Sequence, residues 1–185
     1  MPLPCDDKGT LLVADLTEKK TQIKQIPRDI HRKYHLGLGY NTWLLNQKTS
    51  PYTKPFGAEN IVIISPGLLT GTDAPASSRV EVTTKSPLTG LIGTGNSGGH
   101  WGPRLKKAGY DALMIKGASK KPVYLSIQAS QTPHFGVLSD RQRSSWVQVP
   151  RRSPKMNPRV LSKTNDWLMR VGYGFRVFST ASILQ

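Results

Sequence analysis

The 185-residue chain is long enough for one sizeable domain, or for one domain with an extension, and its formal charge of +15 favours anionic partners such as nucleic acid, acidic lipid or a phosphorylated cofactor. The single cysteine, Cys5, excludes an internal disulfide and leaves no cysteine cluster for zinc or an iron–sulfur centre. No apolar run reaches the roughly 18 residues of a membrane span, and the N-terminus lacks a signal-peptide pattern, so we expect a cytoplasmic protein without a membrane partner.

Residues 11–47 predict two short strands followed by two helices. LLVADLT and TQIKQI are strand patterns joined by the polar turn EKK. Pro27 suits the first residue of a helix over PRDIHRKYHL, whose apolar residues recur at a helical spacing. We expect Gly37 and Gly39 to end this helix, and YNTWLLNQK to form the second one.

The following segment predicts four more strands. NIVIIS at 60–65 is a β-branched run typical of a buried strand. RVEVTTK at 79–85 alternates valines with polar residues, which predicts a strand with one face in water. YDALMIKG and KPVYLSIQ predict two strands separated by a turn near GASKK. Together these elements predict an α+β fold that is rich in strands, with two helices near residues 27–47.

The stretch GTGNSGGHWG, residues 93–102, has five glycines in ten positions. Glycine accepts a positive φ and lets a ligand approach the main chain closely. Two interpretations follow, a flexible loop or a rigid cradle for a phosphate or a large cofactor. Composition alone leaves both open.

The composition changes after residue 128. Residues 129–185 are basic and rich in proline, serine and arginine. Because such a segment buries little apolar surface to offset the cost of ordering, we expect a poorly ordered tail. Only VGYGFRVFSTASIL regains a strand-like pattern. The tail is either the product of a disturbed reading frame or a decayed gene, or it is a genuine basic extension.

Three phrases in the folded part carry a family resemblance: SPGLLTGTDAPASSR (65–79), VTTKSPLTG (82–90) and GNSGGHWGPRLKKAGYDALMIKG (95–117). In this order and spacing they resemble the N-terminal domain of the tungsten-dependent aldehyde:ferredoxin oxidoreductase family, over about residues 9–127. One departure is HLGLGYNTWLL, where family members usually carry Gly-Gly-Arg-Gly-Leu. The resemblance implies that residues 1–128 form a partial tungstopterin-binding domain, a β-rich cofactor platform incomplete relative to the family's.

The resemblance also implies a cofactor of two pyranopterin dithiolenes that hold one tungsten or molybdenum, with a magnesium ion between the pterin phosphates. Carried over residue by residue, Arg79 contacts the pterin, and Asn96 and Gly98 lie on the phosphate side. The backbone of Asn96 is expected to help hold magnesium, and the tungsten takes its sulfur ligands from the pterins. No catalytic residue is assigned. Without the motif, Arg79 would be interpreted as a solvated charge at a strand end.

The resemblance implies a reaction that this chain lacks the parts to perform. In the family an aldehyde is oxidised with water to a carboxylate, and two electrons pass through a [4Fe–4S] cluster to ferredoxin. The four cluster cysteines and the segment that grips the second pterin are missing, and Cys5 cannot replace them. We therefore expect a fragment of such an oxidoreductase, inactive alone, that pairs with the remainder of the enzyme or with a second copy.

The alternative is a non-catalytic binding protein whose basic tail contacts nucleic acid or a partner subunit. Arginines around Trp146 could bind phosphates and stack on a base. An unselected reading frame that happens to be rich in arginine explains the same composition more simply. We therefore do not expect nucleic acid as the partner.

Overall fold

The computed structural model describes residues 9–120, 123–127, 132–137, 169–171 and 175–178. Cys5 and most of residues 129–185 lie outside the described residues, so the poorly ordered tail stays a prediction. Within that tail, residues 134–137, 169–171 and 175–178 form three short strands. The described part contains strands β1 (Gly9–Asp15), β2 (Lys20–Ile26), β3 (Val62–Pro66), β4 (Val80–Lys85), β5 (Ile92–Ser97), β6 (Ala112–Lys116), β7 (Val123–Ser126), β8 (His134–Val137), β9 (Met169–Val171) and β10 (Phe175–Phe178), and helices α1 (Arg28–Tyr34), α2 (Leu38–Lys48) and α3 (Trp101–Lys107).

Six of these strands form one sheet in the order β2-β1-β6-β3-β4-β5. β1 and β2 form the expected antiparallel hairpin, and β1 runs parallel to β6. At the end of that parallel pair the Lys116 ammonium lies 2.8 Å from the Asp15 carboxylate, and this hydrogen bond is the main reason why the pKa of Asp15 lies below its usual value. β5 is the last strand in the sheet order.

The central strands β1, β6 and β3 are almost continuously apolar and are buried on both faces, whereas β2 and β5 are largely exposed. Ile63, Ile64 and Leu113 are fully buried. One face packs against residues of α2, including Tyr40 and Leu44. The other face packs against α3 and against β7 and β8 of a second sheet, whose strand order is β8-β7-β10-β9. This mixed architecture confirms the α+β class and the two early helices, and it adds a third helix that the sequence analysis did not predict.

Each helix boundary lies within two residues of its predicted position, and α2 ends at Lys48 as predicted. α1 begins at Arg28, one residue after Pro27, and ends at Tyr34 because His35 has a φ of 55°. Gly39 does not end α1, contrary to the prediction, because it lies inside α2. A Cβ at Gly39 would collide with the Tyr34 carbonyl oxygen, so this glycine lets the two helices approach closely.

The polar side of β4 is buried, so the prediction of a strand with one wet face is wrong. Glu81 and Thr83 are both at most 9% exposed. The physical reason is Asn41 of α2, which is fully buried and donates from Nδ2 to the Glu81 carbonyl oxygen at 3.1 Å and to Thr83 Oγ1 at 3.2 Å. Its Oδ1 accepts a hydrogen bond of 2.6 Å from Ser65 Oγ. Polar groups can be buried under α2 because these bonds satisfy them.

Candidate functional site

The glycine-rich run is not one continuous loop. It contains β5, a short turn and the start of α3. The turn includes Gly99, whose φ of 106° favours glycine. α3 was not predicted from the sequence, although Trp101 and Leu105 are apolar residues four positions apart and Pro103 suits a first helical turn. Both apolar side chains are buried against the sheet.

The tertiary structure brings the three phrases of the resemblance together. The first turn of α3 packs closely against the turn after β3. A Cβ added at Gly102 would lie only 3.1 Å from Thr70 Cγ2. Thr70 Oγ1 in turn donates a 3.2 Å hydrogen bond to the carbonyl oxygen of Arg79. Arg79 leads directly into β4, which pairs with β5 along its whole length. The site therefore lies where the start of β4, the end of β5 and the start of α3 meet.

Arg79 and Asn96, two of the three predicted site residues, are in direct contact. Arg79 Nε donates a 2.7 Å hydrogen bond to Asn96 Oδ1. Asn96 Nδ2 donates a second bond, also 2.7 Å, to Glu81 Oε2. Glu81 faces Asn96 directly in the β4–β5 register. Glu81 was not predicted as a site residue, because its contact depends on a strand pairing that the sequence does not show.

Gly98, the third predicted residue, follows β5 at the exposed surface. A Cβ built at Gly98 meets no heavy atom within 4 Å in the described part of the chain, and the same holds at Gly95. Neither residue has a positive φ. Internal packing and backbone strain therefore give no reason for glycine at these two positions. Open main chain beside an exposed arginine suits the close approach of an anionic group from outside the protein.

The helix that follows the site residues in sequence carries further positive charge. The last turn of α3 contains Arg104, Lys106 and Lys107. Lys106 is paired with Asp111 at 2.5 Å. Two cavities, of about 330 and 600 Å³, lie elsewhere and include none of the three predicted residues, so the site is an open surface and not one of these cavities.

Two properties concern metals and membranes. The described residues contain no group of three or more histidine, cysteine, aspartate and glutamate side chains that could hold a metal ion. None of the helices in that same part is long and apolar enough to span a membrane.

A family model described as "Aldehyde ferredoxin oxidoreductase, N-terminal domain" matches residues 11–138. Among curated proteins, the tungsten-containing aldehyde ferredoxin oxidoreductase of Thermococcus kodakarensis is 41% identical over 120 residues, which cover 65% of this chain and 20% of that protein. The enzyme of the same name from Pyrococcus furiosus is 39% identical over 120 residues, with the same coverage. The chain thus matches about a fifth of the length of these relatives.

Two further similarities involve other reactions. A Pyrococcus furiosus protein named "Aliphatic sulfonate oxidoreductase, WOR-like subunit" is 35% identical over 123 residues, or 64% of this chain and 19% of that protein. Among solved structures, the active-site complex BamBC of benzoyl coenzyme A reductase matches with a TM-score of 0.68 and 36% identity, over 70% of this chain and 20% of that one. The described fold is therefore shared by proteins whose names specify different substrates.

Proposed function

Because the chain belongs to the aldehyde ferredoxin oxidoreductase family through its N-terminal domain, we propose that it forms part of the platform for a tungsten bis-pyranopterin cofactor. The observation that carries the proposal is the junction of Arg79, Asn96 and Gly98. Arg79 comes from the first phrase of the resemblance and Asn96 and Gly98 from the third, and all three lie together at one exposed end of the β4–β5 pair. They provide a guanidinium and open main chain, which are suitable donors for a phosphorylated, anionic group.

Each residue has a distinct role in this proposal. Arg79 donates hydrogen bonds from its terminal nitrogens to the pterin, since its Nε is already bonded to Asn96. The Asn96 side-chain amide is committed at both ends, which leaves its backbone carbonyl as the ligand for a magnesium ion. Gly98 lets a phosphate reach the main chain. When bound, the tungsten or molybdenum cofactor supplies the redox chemistry, and these residues supply position and charge neutralisation.

The overall reaction belongs, in this proposal, to a complete enzyme of which the chain is a fragment. There an aldehyde is oxidised to a carboxylate, and the electrons pass through a [4Fe–4S] cluster to ferredoxin in the cytoplasm. Groups outside this domain would select the substrate, because relatives of the same domain carry the names of an aldehyde, a sulfonate and a benzoyl-CoA enzyme. The chain alone would be inactive and would pair with the remainder of the enzyme or a second copy.

The proposal is tested by titrating the full chain with Mg²⁺ and inorganic pyrophosphate, which presents two linked phosphates to one magnesium ion. Backbone amide signals of Asn96 and Gly98 should shift in nuclear magnetic resonance spectra. Arg79→Ala should weaken the response about tenfold, because it removes charge-assisted hydrogen bonds. Lys107→Ala is the matched control, since it removes one positive charge from the exposed last turn of α3. An equal effect of both variants would contradict the proposal.

A further inference from the structure

Glu81 has no role in the platform described so far, yet it is the buried end of the Arg79–Asn96 contact. We propose that Glu81 is a positioning residue, whose carboxylate fixes the Asn96 amide and, through it, the Arg79 guanidinium. This assignment deepens the proposed function and rests on it. The three side chains form one hydrogen-bonded series, with 2.7 Å from Arg79 Nε to Asn96 Oδ1 and 2.7 Å from Asn96 Nδ2 to Glu81 Oε2.

The chemistry of the three groups permits only one orientation of the Asn96 amide. A guanidinium can only donate hydrogen bonds, and an ionised carboxylate can only accept them. Asn96 therefore has to direct its oxygen towards Arg79 and its nitrogen towards Glu81. A flipped amide would place oxygen against oxygen and nitrogen against nitrogen. Without the carboxylate, nothing in this series would hold the amide in the orientation that accepts from Arg79.

The hydrogen-bonded series is held in place at its buried end, where Glu81 lies in the protein interior. Glu81 is 9% exposed, whereas Arg79 and Asn96 are exposed. The backbone carbonyl of Glu81 accepts a hydrogen bond from the fully buried Asn41 of α2. A charge-assisted bond in this shielded place is stronger than the same bond in water. Glu81 thus links the rigid α2–β4 contact to two side chains that would otherwise move freely at the surface.

Electrostatic attraction of the ligand does not explain why a carboxylate lies beside this site. A negative charge beside a site for phosphate repels the ligand and partly offsets the charge of Arg79. Positioning does explain it, because the bond to Asn96 removes the freedom of the Arg79 side chain before a ligand arrives. The terminal nitrogens of Arg79 are then held in a fixed plane, and the main chain of Asn96 is left for the ligand.

The test uses the ¹⁵N-labelled full chain and needs no cofactor. Hydrogen exchange is measured at the Asn96 side-chain amide and at Arg79 Nε–H. Glu81→Ala should accelerate exchange at both groups about tenfold. Glu81→Gln should keep most of the protection, because the glutamine oxygen can still accept from Asn96. Thr83→Val is the matched control, since Thr83 is fully buried on the same strand but bonds to Asn41 instead of Asn96.

Three results would overturn the assignment: unchanged exchange at Arg79 in folded Glu81→Ala, equal losses in the alanine and glutamine variants, or an equal loss in Thr83→Val. If Glu81→Ala does not fold, Glu81→Asp performs the same test, because it keeps the charge but withdraws the acceptor by one methylene. Titration with Mg²⁺ and pyrophosphate distinguishes a failure of the proposed cofactor platform from a failure of the positioning role of Glu81. A protected Asn96 amide without any ligand response refutes the platform and leaves the positioning contact standing, whereas a full response in Glu81→Ala refutes the positioning role.

Discussion

At the level of single residues, the side chain of Asn96 bonds within the protein, while its main chain is available to a ligand. Its side-chain amide is committed to Arg79 and Glu81, so the part that can meet a ligand is the backbone. Gly98, two residues later, extends that accessible backbone beyond the end of β5. The structure gives no internal reason for glycine there, since a Cβ would meet no heavy atom within 4 Å in the part it describes.

Gly98→Ala should therefore separate folding from binding. We expect the free energy of unfolding to change by less than about 0.5 kcal/mol, because the added methyl group points into open space. The response to Mg²⁺ and pyrophosphate should weaken about tenfold, since the same methyl group occupies space needed by the phosphate. Gly39→Ala is the opposite control, as its Cβ would collide with the Tyr34 carbonyl oxygen and destabilise the fold. Unimpaired binding by Gly98→Ala would contradict a ligand-directed role for this glycine.

At the level of elements, the contact between α2 and β4 fixes the strand that carries Glu81. Asn41 joins the helix to two positions on β4 and to Ser65 on β3. Because Glu81 is one of those positions, the strand that presents it is fixed in place by the helix. In the part of the chain that the structure describes, no helix covers β5, which is held by its pairing with β4. The helix α2 thus fixes β4, and β4 in turn holds β5 with the site residues that β5 carries.

Asn41→Ala should destabilise the protein by about 3 kcal/mol, because it leaves buried hydroxyl and carbonyl groups without their hydrogen bonds. Urea unfolding of the full chain measures this free energy. Asn46→Ala is the control, since Asn46 is exposed on the same helix and its loss should change stability by less than about 0.5 kcal/mol. Equal stabilities of the two variants would show that the buried network does not hold α2 to β4.

At the level of the whole molecule, the chain matches about a fifth of the length of its tungsten-containing relatives. An iron–sulfur cluster of the kind proposed for the complete enzyme takes its ligands from four cysteines, and the sequence has one. The proposed platform is a binding surface, and its three residues include no group to which a step of the reaction is assigned.

The purified chain should therefore fail to reduce a viologen dye when it is given an aldehyde, even after reconstitution with iron and sulfide. The reason is that electrons would have no cluster through which to leave the site. The Pyrococcus furiosus aldehyde ferredoxin oxidoreductase, assayed in parallel, provides the positive control. Dye reduction by the purified chain above the level of heat-denatured protein would show that the domain carries activity on its own.

The sequence by itself determined the fold class, the first hairpin, the two early helices and the family. These features depend on local patterns, such as the apolar periodicity in PRDIHRKYHL, and on long motifs that stand in the family's order. α3 was missed because its seven residues, with glycine and proline among them, carry a weak helical pattern. The positions of Arg79, Asn96 and Gly98 came from the same motifs, and their proposed roles stay predictions.

Only the tertiary structure decided which residues meet. Glu81 and Asn96 are fifteen residues apart, and their contact exists because the β4–β5 register places them opposite each other. The buried polar face of β4 likewise depends on α2, which comes from a distant part of the sequence and covers it. A local pattern reports what one segment prefers, whereas burial and hydrogen-bond partners depend on which segments pack together. For this reason the sequence predicts a cofactor platform but does not show which contacts hold its residues in position.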